Sequence, residues 1–227
     1  LLSTLTLPLS NIVLIYACPS TGDIPANYNV YRVCDDIKTP YFCPPNYKQR
    51  NLQTWQQETD LHIPLDHIEE VVYRYSSSMY EACMKKPQMA QKNKFVQYLA
   101  TGLGNAYPKK LLSLAKRVEE ARSSKNDPWY YPSSREDGNT TLDLLLCEVD
   151  KLEKYFVDNV GNDSFYVKRL QLQRVRLLFS LGRYADCIEL WENKVQHWDT
   201  NELMRSMIKD YIAGAYQHLG EETIAKQ

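Results

Sequence analysis

The stretch Leu178–Trp191, LFSLGRYADCIELW, decides how this chain is read. Apolar residues run into Gly182, an aromatic follows at Tyr184, and the small Cys187 beside Ile188 opens a new apolar stripe that reaches Trp191. Each position has a local physical reason. Glycine accepts the positive-φ turn that ends one helix, and Tyr184 is placed to plug the space between that helix and the next. A residue as small as Cys187 lets the two backbones approach. The pattern predicts a helix over 164–181, a turn at Gly182 and a second helix over 184–197.

A second copy follows at Tyr211–Ala225, YIAGAYQHLGEETIA. Gly220 and Ala225 repeat the spacing of Gly182 and Cys187, and Tyr216 takes the aromatic slot of the first helix. The aromatic after the turn is replaced by Glu222. Taken with Gly182, Tyr184, Cys187, Ile188 and Trp191, this order resembles the centre of a tetratricopeptide (TPR) repeat, over about residues 164–227. The glycines are 38 positions apart against ~34 in that family, and the loop around Trp198 is expected to absorb the excess. The resemblance implies an all-α fold of helical hairpins stacked as a TPR-like right-handed solenoid. Tyr184, Trp191, Tyr211 and Tyr216 would line its core, and its concave surface would grasp a protein or peptide. The second hairpin holds barely six residues of its second helix before Gln227, and residue 1 is Leu rather than Met. The chain therefore reads as a piece of a longer protein, with an apolar face around Ile212, Tyr216 and Ile224 expected to lie open.

Working towards the N-terminus, apolar stripes at helical spacing continue. Leu142, Leu145, Leu146, Val149, Leu152 and Phe156 mark a helix with a capping-box-like start at Thr140-Thr141-Leu142-Asp143 and an end at Gly161. Leu111, Leu114, Ala115, Val118 and Ala121 mark another, and Phe95–Ala100 a shorter one. Pro64 opens PLDHIEEVVYRYS with a stripe of Ile68, Val71, Val72 and Tyr75, and residues 48–58 carry Leu52 and Trp55. No segment alternates as a strand does. The domain reading is a signal-peptide remnant over 1–17, an irregular Tyr/Pro-rich leader over 18–47 with a short strand at Tyr28–Val33, and an N-terminal helical region over 48–126. An aromatic loop over 127–139 then precedes TPR-like hairpins over 140–227.

The first 17 residues, LLSTLTLPLSNIVLIYA, carry no charge and match the apolar core of a secretory signal. Ile15-Tyr16-Ala17-Cys18 resembles a bacterial lipobox, which implies lipidation of Cys18 and a membrane tether; Tyr16 departs from the usual small or aliphatic residue there. The expected location is the bacterial periplasm or outer membrane, lipid-anchored if Cys18 is modified and plainly secreted otherwise. In such a compartment Cys34 and Cys43, nine residues apart around a Pro-containing loop, are candidates for a disulfide. Cys83, Cys147 and Cys187 fall on helical patterns and read as small buried apolar residues.

The order of the leader, NLQTWQQET, FVQYL, LLSLAKRVEEA and DPWYYP ahead of TPR-like hairpins is similar to uncharacterised exported helical-repeat proteins of Bacteroidota. That similarity carries no activity.

The chemistry is sparse. The 227 residues hold 27 Lys and Arg against 28 Asp and Glu, a net charge of −1, which argues against a nucleic-acid partner. There is no Walker A, GxGxxG, GxSxG or HExxH motif, and no Cys or His spacing of a metal site, so no cofactor, metal or catalytic residue is expected. Trp129, Tyr130 and Tyr131, between Pro128 and Pro132, form an aromatic cluster. It suits either a platform for sugar rings or a peptide, or an anchor in which Trp129 clamps the loop onto the helices. Two functions follow: a non-enzymatic exported scaffold that binds a protein or peptide, and alternatively a glycan-binding outer-membrane lipoprotein of a nutrient-uptake system.

Overall fold

The computed structural model describes residues 47–101, 106–125 and 135–221. The signal stretch, Cys18, Cys34, Cys43, the Tyr28–Val33 strand, Trp129, Tyr130, Tyr131, Ile224 and Ala225 lie outside them. Among the described residues nine α-helices pack together and there is no strand. They are α1 (Tyr47–Thr59), α2 (Leu65–Glu69), α3 (Ser77–Lys85), α4 (Lys94–Thr101), α5 (Ala106–Lys125), α6 (Arg135–Val160), α7 (Phe165–Ser180), α8 (Tyr184–Asn193) and α9 (Leu203–His218). No described helix is long and apolar enough to cross a membrane.

The predicted stripes are the buried ones. Ile68, Val71, Leu111, Leu114, Val118, Leu142, Leu145, Val149 and Phe156 all enter one core. That core is organised around α7, which packs against α5, α6, α8 and α9. A helix surrounded on so many sides must be apolar on most of them, and α7 buries Val167, Leu170, Leu172, Val175, Leu177 and Leu178. The packing order recurs along the chain. α5 and α6 pack together with α7 against both, and α7 and α8 pack together with α9 against both.

The turns at Gly182 and Gly220 are copies of one another, with φ of 74° and 81°. In the first, the Arg183 N–H donates to Leu178 O at 2.9 Å and Gly182 N–H to Phe179 O at 3.0 Å. In the second, Glu221 donates to Tyr216 and Gly220 to Gln217 at the same two distances. This is the Schellman arrangement, in which a left-handed residue after the helix satisfies its last carbonyls. Cys187 is fully buried, its thiol 3.8 Å from the Val175 carbonyl, so α8 does close onto α7 where the side chain is small. Tyr184, Ile188, Trp191 and Tyr216 are half-buried and pack against the core rather than within it.

Four expectations are corrected. The helix marked by Leu142 begins at Arg135, so Thr140 and Thr141 lie inside it; no proline separates them from Arg135, and a helix anchored by its apolar stripe extends backwards through Gly138 at modest cost. Residues 64–76 are not one helix. α2 passes into a single π turn, Glu70–Arg74, and Ser76 then caps α3, its Oγ accepting from Met79 N–H at 3.1 Å. Cys147 is exposed, unlike Cys83 and Cys187, because it lies about 200° around the helix from Leu145. Ile212 is not left open but buried in the core, with Tyr216 half-covered beside it.

Candidate functional site

A cleft of about 320 Å³ separates α1 and the π turn from the faces of α5, α7 and α9. Its apolar part comes from Trp55, Leu111, Leu112, Leu172 and Met204. Trp55 is held edge-on by Phe165 of α7 at 4.9 Å and Phe95 of α4 at 6.1 Å, which fixes α1 as the near wall. The polar part is buried to a degree that ordinary helix faces are not: Asn51, Lys116, Arg169, Gln173 and Arg176 are each less than a tenth exposed.

Lys116 owes its place to the π turn. A turn closed by i→i+5 bonds, here Tyr75 N–H to Glu70 O at 3.1 Å, frees carbonyls that an α-helix would use. The Lys116 ammonium reaches across from α5 and donates to Tyr75 O at 2.8 Å and Val72 O at 3.5 Å, and it lies 5.9 Å from the Tyr80 ring. Burial lowers its pKa to about 8. Burial likewise raises the Tyr75 phenol to about 12, with Glu70 adding to the shift.

Arg169 joins α7 to α1. One guanidinium nitrogen donates to Asn51 Oδ1 and Thr54 Oγ1, both at 2.7 Å, and the group lies 3.6 Å from the Phe165 ring centroid. Asn51 passes the network on, its amide donating to Tyr73 Oη at 2.7 Å. Two turns further along α7, Arg176 donates to Gln173 Oε1 at 3.0 Å and pairs with Glu119 of α5. The walls thus offer guanidinium, ammonium and carboxamide groups beside an apolar floor. That combination can hold a carbonyl or an oxyanion while an apolar side chain packs next to it. Among the described residues there is no group of three or more His, Cys, Asp or Glu placed to hold a metal. Burial also drives the Cys187 thiol up to about 12, away from nucleophilic use.

The apolar lining was legible as helix stripes, but none of the polar cleft residues was singled out from the sequence, yet a signal existed. Arg169, Gln173 and Arg176 recur at i, i+4, i+7 on a helix whose Leu170, Leu172, Val175, Leu177 and Leu178 are all buried. On a helix buried all round, a polar stripe has to face either a partner helix or a cavity. Of the residues that were singled out, Gly182, Tyr184, Cys187, Ile188, Trp191, Tyr216 and Gly220 shape the helix junctions and do not line this cleft. Compared with family models, curated proteins and solved structures, the chain matches none.

Proposed function

We propose that this is a non-enzymatic helical-repeat scaffold whose α5/α7/α9 face seats a segment of a partner protein. In this reading α5–α6 and α7–α8 are successive TPR-like hairpins of a right-handed solenoid, and α9 opens the next. The observation that carries it is the repeated packing order, α7 on α5 and α6, then α9 on α7 and α8, with one Schellman turn used twice. Stacked pairs of this kind leave the first helices side by side, and here those helices carry a cleft with mixed polar and apolar walls. With the signal-like residues 1–17 and Cys18, we place the protein in the bacterial envelope, tethered by lipid if Cys18 is modified.

The test uses a photo-reactive residue in place of Glu120 or Ser77 at the cleft and Asp143 on the outer side of α6, in whole cells of the source. The expected result is one shared partner polypeptide joined from both cleft positions and absent from Asp143. Adducts alike from all three sites, or none, overturn the reading. So does saturable binding of an envelope glycan, or its turnover, by the purified chain.

A further inference from the structure

Beyond the cleft, the same face carries a second convergence of side chains. It uses one residue or more from each first helix: Arg122 of α5, Arg176 and Ser180 of α7, and Tyr211 of α9. The Arg122 Nε donates to Ser180 Oγ at 2.9 Å, and its guanidinium lies 5.8 Å from the Tyr211 ring. Among the described residues Arg122 has no carboxylate in ion-pair contact, while Arg176 shares Glu119, which is more than a third exposed. Of the two guanidinium groups, Arg176 alone is matched by an ion-paired carboxylate among the described residues.

The phenol of Tyr211 registers the resulting field. Burial alone would raise its pKa, but Arg122 and Arg176 beside it outweigh that and bring it below the ordinary tyrosine value. The arrangement favours negative charge at that spot. Planar guanidinium forks are the donors that match carboxylate and phosphoryl oxygens two at a time.

We propose that Arg122, Arg176 and Tyr211 form a seat for an oxyanion, a carboxylate or a phosphoryl group, carried by the ligand of the α5/α7/α9 face. The inference rests on the reading of that face as the ligand-bearing one. Arg122 and Arg176 grip the oxygens, Tyr211 donates a hydrogen bond, and Ser180 orients Arg122.

Thermal unfolding of the full chain at fixed ionic strength tests this, with chloride replaced stepwise by inorganic phosphate in one series and by malonate in another. The expected result is a saturable rise in melting temperature above the chloride control. Phosphate alone identifies a phosphoryl seat, malonate alone a carboxylate seat, and both a general oxyanion seat. Arg122→Gln should raise the half-saturating concentration by about tenfold or more, and Arg117→Gln, which touches Glu148 on the α6 side, should leave it unchanged. A readout in the unaltered chain guards against misfolding of the variant. The near-ultraviolet phenolate signal should contain one tyrosine that ionises early, is lost in Tyr211→Phe and moves to higher pH as the anion binds. No effect beyond chloride, or an Arg122→Gln curve that overlays the parent, overturns the proposal. Cleft cross-links that persist without anion binding would sink this inference and spare the scaffold; anion binding without cross-links would do the reverse.

Discussion

The imidazole of His218 lies face to face with the ring of Tyr184, planes parallel and centroids 4.4 Å apart. Tyr184 is the second residue after the Gly182 turn, and His218 is the second before the Gly220 turn, so the stack ties the start of α8 to the end of α9. Phe179 stands edge-on to both, 5.2 Å from Tyr184 and 5.6 Å from His218. Aromatic pairs of this kind are worth about 0.5–1.5 kcal/mol beyond their buried area. Tyr184→Ala should therefore destabilise the chain by about 2 kcal/mol, while Tyr184→Phe should be close to neutral. Combining Tyr184→Ala with His218→Ala should cost less than the sum of the two. Denaturant unfolding measures all three, and strict additivity would show that the stack carries no energy.

Gly182, in the turn between α7 and α8, and Gly214, inside α9, separate two physical effects. A Cβ at Gly182 meets nothing within 4 Å, so Gly182→Ala costs only the left-handed backbone, about 1–2 kcal/mol. Asparagine tolerates that region better, and Gly182→Asn should recover part of the loss. At Gly214 the backbone is helical and the obstacle is steric, since a Cβ would lie 3.1 Å from Phe179 Cε2. That ring is held by Tyr184, Tyr211 and His218 and has little room to move. Gly214→Ala should lose about 1 kcal/mol despite its better helix propensity, and Gly214→Asn should be worse. Equal rescue by asparagine at both positions would contradict this division.

How far the sequence could be read follows from the same contrast. Gly182 and Gly220 announce the helix ends because a turn of that geometry needs glycine, and the apolar stripes of α5, α6 and α7 announce their buried faces. Periodicity in one helix does not say how many neighbours that helix has. For that reason the Arg169, Gln173 and Arg176 stripe has no evident meaning until α7 is seen among its four neighbouring helices. The π turn had no signature either, because its carbonyls are satisfied by Lys116, 41 and 44 positions away. The exposed Cys147 shows the reverse error, an apolar neighbourhood in sequence mistaken for one in space.

Lys116 should give the protein an unusual alkaline response. Its folded pKa of about 8 lies below that of an unfolded lysine, because burial disfavours the ammonium. Between those two values the unfolded chain binds more protons, so the Lys116 contribution makes stability rise with pH; below about pH 8 that contribution is constant. The full shift corresponds to about 3 kcal/mol. Tyr75 acts in the opposite sense, since its raised pKa removes stability once unfolded tyrosines ionise near pH 10. The buried Cys187 thiol, also raised, opposes the gain once unfolded thiols ionise above about pH 8.5, so the Lys116 part is read as a difference between parent and variant over roughly pH 8–10. Urea unfolding at pH 7, 8, 9 and 10 should show the stability of the parent chain relative to Lys116→Met increasing from pH 8 to pH 10. Parallel pH profiles for the two proteins would refute it.

The contact of Arg169 with Asn51 and Thr54 fixes the near wall of the cleft, and its energetics should look like those of a buried cation rather than a surface pair. Replacing Asn51 by Leu removes an acceptor and leaves the guanidinium buried and under-bonded, at a cost of about 2–4 kcal/mol. Arg169→Met removes the charge together with its desolvation penalty and retains an apolar side chain against Phe165 and Trp55. It should cost less than Asn51→Leu even though it deletes the larger group. The double variant should be more stable than the two single losses predict, by about 1–2 kcal/mol. If Arg169→Met proves the more damaging of the two, the guanidinium stabilises the α1–α7 contact by more than its burial costs, and the wall is held by charge after all.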